Sequence, residues 1–211
     1  MTAGYLGDQG EASAFARGPR GGSSGDELLQ GQAHYVLGLA GYYRGRPVAP
    51  LVRASAAMDR FRFRPLEATC AMCLGEARHA AGEPGGRALV EQGLAIARED
   101  DYRYWSAWAE RSLGRISATE GALDAADARL EDARRGFAEI PAPFEEARTR
   151  LALADVALAR GDGAARDAHL AAARERFAAL GAAVWVRRVE ALGADGAVGR
   201  AGEPHRVELP G

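Results

Sequence analysis

The chain has 211 residues, 47% of them hydrophobic, with a formal charge of -2 and a pI near 6.1, so it has no global cationic field that would attract nucleic acid or an anionic membrane. It contains no lysine and no asparagine, and all 27 basic residues are therefore arginine. The absence of lysine excludes a phosphate-loop lysine, a Schiff base to pyridoxal phosphate and a lysine general base.

The N-terminal residues 1–25 are rich in glycine and serine, with too few apolar side chains to form a core, which predicts a flexible lead-in. They lack the apolar segment of a secretory signal, and no stretch of the chain approaches the roughly 18 apolar residues of a membrane span. Two cysteines fit a reducing compartment better than a disulfide framework. We therefore expect a cytoplasmic protein. Asp26 is a suitable N-cap and Gly45 a helix stop, so the first helix is predicted to begin after Asp26 and to end at Gly45.

A Leu-Gly or Leu-Ala pair, with a glycine two helical turns after the leucine, occurs four times in the chain. The leucines are Leu37, Leu74, Leu113 and Leu153, and the glycines are Gly45, Gly82, Gly121 and Gly161. The interval between consecutive leucines is nearly constant and falls within the range of about 20 to 50 residues that is typical of repeat arrays rather than of a single core. This pattern predicts helix pairs over residues 26–62, 65–99, 101–139 and 143–180.

The predicted second helix of each of the last two pairs carries one apolar stripe. The stripe residues are Leu130, Ala133, Phe137 and Ile140 in one pair and Leu170, Ala173, Phe177 and Leu180 in the next. In the pair over residues 65–99, a one-residue deletion is needed to align Val90, Gly93 and Ala97 with this stripe. The stripes indicate second helices that pack against the first helices of their own pairs.

A ninth helix is predicted from Ala182 to Leu192, with Trp185, Val189 and Leu192 on its apolar side and Arg187, Arg188 and Glu190 on its other side. Such a helix can cover the last open apolar face of a repeat array. Residues 194–211 are rich in glycine, proline and charge, which predicts a disordered tail. The sequence therefore predicts an all-α fold with one repeat domain over residues 26–193.

The Leu-Gly pair, the turn glycine and the small and aromatic residues of the second helices resemble the tetratricopeptide repeat (TPR) over roughly residues 30–192. The tryptophan and tyrosine positions of that repeat hold other residues here, and the units exceed its usual ~34 residues. The segments Leu151–Asp162 and Ala172–Ala182 are similar to the helical arm of LuxR-type and related signal-transduction ATPases of bacteria. The resemblance implies a right-handed α-solenoid of about four helix pairs plus a C-terminal capping helix. It does not extend to the nucleotide-binding or helix-turn-helix parts of those regulators.

The resemblance also implies a groove lined by the first helix of each pair. The groove positions hold Tyr35, Tyr42, Tyr43, Met72, Glu76, His79, Trp108, Arg111, Arg115, Arg148 and Asp155. Aromatic residues and arginine are enriched at binding hot spots, and arginine pairs bidentately with carboxylate or phosphate. We therefore expect a bound protein or peptide segment with apolar anchors at the aromatic end and an acidic group at the arginine end. The alternative is that the tyrosines pack between helices and the arginines are solvated.

The motifs that carry chemistry elsewhere have no supporting context in this sequence. Cys70 and Cys73 form a CxxC inside a predicted helix without a second ligand pair, which indicates buried core residues. The GxSxG string over Gly21–Gly25 lacks the strand-turn-helix setting of a hydrolase nucleophile. We therefore expect no catalytic residue, no metal, no cofactor and no direct contact with nucleic acid or membrane. The expected function is a non-catalytic scaffold or sensor module; the alternative is a helical sensor fragment of a bacterial transcriptional regulator whose ATPase and DNA-binding parts are absent from this chain.

Overall fold

The computed structural model describes residues 34–35, 38, 52–56, 60 and 64–197, and the elements in these ranges are helices and turns with no strand. The helices are α1 Arg64–Ala80, α2 Gly86–Glu99, α3 Arg103–Thr119, α4 Leu123–Glu139, α5 Pro143–Ala159, α6 Gly163–Ala179 and α7 Ala183–Ala197. The all-α class is thus confirmed for the described part of the chain. The predicted lead-in, most of the first helix pair and the tail beyond residue 197 lie outside it.

Contacts within the chain define two compact units, with the division between Asp101 and Tyr102. Unit 1 contains α1 and α2, which pack together, and unit 2 contains α3 to α7. In unit 2 each helix packs against the next in sequence, and α3 also touches α5. Because the connecting turns are short, neighbouring helices are antiparallel. The single repeat domain over residues 26–193 stays a prediction.

The turn glycines of the repeat end the first helix of each described pair. Gly121, with a φ of 79°, adopts a left-handed conformation that costs glycine no steric strain. Its N–H donates to the carbonyl of Ala118, and the N–H of Ala122 donates to the carbonyl of Ser117. These two bonds form a Schellman motif, which satisfies carbonyls that the helix end would leave unpaired. The same pair of bonds follows α1, α5 and α6 at Gly82, Gly161 and Gly181.

The predicted apolar stripes are buried, except at their last positions. In α4 the stripe residues Leu130, Ala133 and Phe137 are fully buried, and their equivalents in α6 are buried as well. The last stripe residues, Ile140 and Leu180, are the C-caps of α4 and α6, and Ile140 is partly buried. Leu180 is among the exposed large hydrophobic residues.

The alignment of α2 with the repeat pattern is confirmed, whereas the predicted end of the last helix differs from the structure. In α2, Val90, Gly93 and Ala97 are all buried, which confirms the alignment with a one-residue deletion. The last helix continues to Ala197, beyond its predicted end at Leu192. Gly193 follows Leu192 but does not end the helix, since a glycine inside a helix costs only about 1 kcal/mol relative to alanine.

The glycines of the Leu-Gly pairs allow close contact between paired helices. A Cβ atom on Gly75 of α1 would lie 2.6 Å from the carbonyl oxygen of Gly86 in α2. A Cβ atom on Gly114 of α3 would lie 2.7 Å from Cγ of the Leu130 side chain. The carbonyl oxygen of Ala126 would lie 3.2 Å from the same Cβ atom, and Leu130 is fully buried, so both glycines lie in close helix contacts. The corresponding residue of α5 is Ala154, which is also buried.

We expect Gly75→Ala to lower the free energy of unfolding by about 1 to 3 kcal/mol, the usual cost of overpacking. Gly193→Ala is expected to be neutral or slightly stabilising, because nothing lies within 4 Å of a Cβ atom at this exposed position of α7 and alanine favours a helix by about 1 kcal/mol over glycine. Urea unfolding followed by far-UV circular dichroism measures both variants. Equal destabilisation by the two substitutions would contradict the close backbone contact between α1 and α2.

Candidate functional site

Arginines from alternate helices come together on one face of unit 2. Arg111 and Arg115 lie one turn apart on α3, Arg148 lies on α5, and Arg188 lies on α7. We call these four residues the arginine cluster. Since α3, α5 and α7 begin at equivalent positions of successive repeats, the same turns of each helix reach this face.

Glu145 of α5 binds two members of the arginine cluster. Its Oε2 accepts hydrogen bonds from Nη1 of Arg111 at 2.6 Å and from Nη1 of Arg148 at 3.2 Å. The side chains of Arg111 and Glu145 are only 5% and 12% exposed. Burial by itself would raise the pKa of Glu145, but the charges and hydrogen bonds of Arg111 and Arg148 lower it below its ordinary value of 4.5. Glu145 is therefore an ionised carboxylate held between two guanidinium groups.

Aromatic rings lie under the guanidinium groups of the cluster. Cζ of Arg148 and Cζ of Arg188 lie 5.5 and 5.2 Å from the ring centroid of Trp185, and Cζ of Arg111 lies 5.0 Å from that of Phe137. Trp185 in turn stacks on Phe177, with ring centroids 5.2 Å apart. Cation–π contacts of this kind contribute roughly 0.5 to 2 kcal/mol each and hold the charged groups in place. The site thus has an apolar floor and a cationic surface.

The charges of the site are not balanced. Burial lowers the pKa of Arg188, and the charge of Arg148 and, less strongly, that of Arg115 lower it further, while Asp155 opposes them. Two of the three charges that act on Arg188 are arginines and one is the carboxylate of Asp155, so positive charge predominates around Arg188. Guanidinium groups stay protonated in proteins, and Glu145 is held ionised. The arrangement therefore offers fixed charges for binding an anion rather than a pair of groups that exchange a proton.

The structure brings four of the sequence-predicted site residues together, namely Arg111, Arg115, Arg148 and Asp155. Arg115 and Asp155 are exposed, Arg148 is partly buried and Arg111 is buried. Trp108, also on α3, is only 3% exposed. Its ring contacts Tyr104 and Trp105, with centroids 6.3 and 5.6 Å away. Trp108 therefore contributes to the apolar support of this face.

The other predicted site residues are Tyr35, Met72, Glu76 and His79, which belong to unit 1, and Tyr42 and Tyr43, which lie outside the described residues. Met72 is fully buried and lies against Gly93 of α2. Tyr35 is 7% exposed, and Glu76 and His79 are partly buried on α1. The buried position of Tyr35 fits the alternative in which the tyrosines pack between helices.

The sequence analysis did not identify Glu145 as a site residue, and it assigned Arg188 and Trp185 only to a helix that covers the end of the repeat array. The signal that could have found Arg188 is the repeat itself, because one repeat step leads from Trp108 to Arg148 and an equal step leads from Arg148 to Arg188. The same step connects Glu145 to Trp185. The last helix is therefore equivalent to α3 and α5 in register, and it contributes to the same face.

A second charged cluster surrounds Glu146 on the neighbouring side of α5. Its carboxylate accepts a hydrogen bond from Arg150 at 3.1 Å and lies 3.3 Å from Arg176 and 4.0 Å from Arg134. Glu146 is buried, and the three arginines come from α4, α5 and α6. Because the buried Glu146 joins arginines of three helices, we interpret this cluster as a structural contact between α4, α5 and α6.

The predicted core role of the cysteines is confirmed, since Cys70 and Cys73 are buried free thiols. Burial raises the pKa of Cys70 to about 12 and raises that of Cys73 as well, so neither is a reactive thiolate. Within residues 64–197 and the shorter described segments, His, Cys, Asp and Glu do not form a group of three that could hold a metal. No helix in those segments has the length and hydropathy of a transmembrane span.

Comparisons with known proteins do not identify a family for this chain. No family model matches it, and no curated protein is significantly similar to it. The resemblance to the tetratricopeptide repeat and to the arm of bacterial regulators therefore stays a prediction. The function has to be inferred from the arginine cluster and the helices that carry it.

Proposed function

We propose that the chain is a non-catalytic, TPR-like right-handed solenoid that binds an extended segment of a partner protein. The binding surface is the face of unit 2 formed by α3, α5 and α7. The observation that carries the proposal is that three members of the arginine cluster, Arg111, Arg148 and Arg188, lie over the rings of Phe137 and Trp185. Arginine and large aromatic residues are the types that dominate the binding energy of protein interfaces.

The packing of unit 2 supports an elongated ligand. Contacts of α3 with α5, and of Phe144 and Arg148 on α5 with Trp185 on α7, place these three helices side by side. Helices in contact are usually about 8–10 Å apart, so the face extends roughly 20 Å across the three axes. An extended peptide rises about 3.3 Å per residue, and about six residues would cross the face. A partner segment of that length could contact every helix of the face.

The chemistry of the site supports binding rather than catalysis. Guanidinium groups stay protonated in proteins and Glu145 is held ionised, whereas an efficient general acid or base has a pKa near the working pH. The two buried free thiols fit a reducing compartment, and we place the protein in the cytoplasm on that basis. A partner would then be another cytoplasmic protein with a segment that can adopt an extended conformation.

The test is a selection of peptides that bind the purified full-length chain from a random library displayed on phage. We expect a family of related peptides whose binding is lost in the Arg115→Glu variant, because Arg115 is exposed on the binding face. Arg135→Glu is the control, since Arg135 is exposed on α4 and makes an ion pair with Asp132 away from that face. The proposal is wrong if no peptide is enriched, or if both charge reversals have the same effect on the selected peptides.

A further inference from the structure

We infer that the partner segment is acidic and that one of its side-chain carboxylates binds between Arg148 and Arg188, next to Arg115. This inference rests on the proposed function and adds two points to it, the chemistry of the partner and the position of its anchoring charge. The anchoring position lies between α5 and α7, near the C-terminal end of the repeat array.

The buried pair of Arg111 and Glu145 shows how a carboxylate is bound on this face. Glu145 contacts Arg111 from α3 and Arg148 from α5, at 2.6 and 3.2 Å. Arg111 is 5% exposed and also donates to the backbone carbonyl of Glu145, at 3.3 Å. Arg111 is thus buried against the chain's own carboxylate, whereas Arg148, which also binds Glu145, is more exposed, at 20%. An external carboxylate has to bind the members of the arginine cluster that are nearer to α7.

Trp185 contacts two of those members through the same ring. The Cζ atoms of Arg148 and Arg188 lie 5.5 and 5.2 Å from the centroid of the same ring. A cation–π contact uses the flat face of a guanidinium, whereas a carboxylate pairs with the N–H groups along its edge, so one guanidinium can make both contacts. Because the ring already restricts both side chains, a ligand that binds them loses less conformational entropy. A carboxylate that contacted Arg148 and Arg188 would be bound by arginines of α5 and α7, as Glu145 is bound by arginines of α3 and α5.

The charge of the surroundings favours an acidic ligand over a neutral or basic one. Arg188 lies in the fields of Arg148 and Arg115, and Asp155 is the carboxylate that opposes them. Like charges held together on folded helices repel one another, and an incoming carboxylate relieves that repulsion. A lysine-rich or arginine-rich segment would increase it. The arginine cluster is therefore complementary to aspartate or glutamate side chains of the partner.

The experiment uses the peptides selected on the full-length chain and two matched variants, Arg188→Gln and Arg187→Gln. The two residues are neighbours on α7 and the charge change is identical, but Arg187 is exposed and lacks the ring contact that Arg188 makes with Trp185. We expect the selected peptides to be enriched in Asp and Glu. Fluorescence anisotropy with a labelled acidic peptide should show about tenfold weaker binding to Arg188→Gln, the effect of losing one charged hydrogen bond. Arg187→Gln should change the affinity by less than about twofold.

Any other result of this experiment contradicts one specific part of the inference or of the proposed function. Selected peptides that are neutral or basic, or that bind Arg188→Gln as well as wild type, would overturn the acidic anchor and leave the proposed function intact. Equal weakening by both variants would show a general charge effect and would overturn the assigned position. Enrichment of no peptide would overturn the proposed function and this inference with it. Far-UV circular dichroism verifies that both variants are folded, and Arg115→Gln repeats the test at an exposed residue.

Discussion

Phe137→Ala is expected to lower the free energy of unfolding by about 3 to 5 kcal/mol, the usual cost of removing a buried phenylalanine ring. Phe137 is fully buried on α4. Its ring lies 5.6 Å from that of Tyr104 and under the guanidinium of Arg111. The substitution therefore leaves a cavity between α3 and α4 and removes an aromatic and a cation–π contact. Because a domain is stable by only about 5 to 15 kcal/mol, the loss would be a large fraction of the total.

Urea unfolding of unit 2 can be followed by tryptophan fluorescence, because all three tryptophans, Trp105, Trp108 and Trp185, belong to it. Phe177→Ala, at the equivalent position of the next repeat, should have a similar effect. Leu158→Ala is the control, because Leu158 is 52% exposed and surface substitutions usually change stability by less than about 0.5 kcal/mol. An unfolding curve for Phe137→Ala that matches wild type would contradict the assigned core.

The helices of the described chain could be predicted from sequence because their signals are local. A turn glycine such as Gly121 is needed where the backbone has a positive φ, whatever the rest of the fold does. An apolar stripe such as that of α4 likewise needs only its own helix to be recognised. The predicted pairs over residues 65–99, 101–139 and 143–180 therefore agree with α1 to α6 within a few residues.

The candidate site was harder to predict because its contacts join distant residues. Arg111 and Glu145 are 34 residues apart, and only the packing of α3 on α5 brings them together. Glu145 lies in the first turn of α5, where an acidic residue is favourable against the helix dipole whether or not an arginine lies opposite. The local pattern therefore provided no reason to connect the two residues. Arg115 and Arg148 were predicted because the resemblance to the tetratricopeptide repeat implies groove positions that they occupy, but which arginine binds which carboxylate depends on side-chain geometry.

Glu145→Ala is expected to lower the free energy of unfolding by about 3 to 5 kcal/mol, because it leaves the guanidinium of Arg111 buried without its carboxylate. Removing both charges at once should have a different result. The double variant Arg111→Met with Glu145→Leu replaces the pair by apolar side chains of similar size, and such replacements are often neutral or stabilising. Urea unfolding of the single and double variants measures the difference. A single variant as stable as wild type would show that the pair is not buried as described.

The pH dependence of stability identifies the same pair by an independent measurement. The pKa of Glu145 is lower in the folded chain than its ordinary value of 4.5, so the folded state binds its proton less readily than the unfolded state. The stability that Glu145 contributes is therefore complete above about pH 4.5 and is lost as the pH falls from there through the lowered folded pKa. The double variant lacks this contribution and should lose less stability than wild type between neutral pH and pH below 4.5. Parallel pH profiles for the two proteins would show that Arg111 and Arg148 do not hold Glu145 ionised. In that case the pair of Arg111 and Glu145 would no longer support the inference that a partner's carboxylate binds between Arg148 and Arg188.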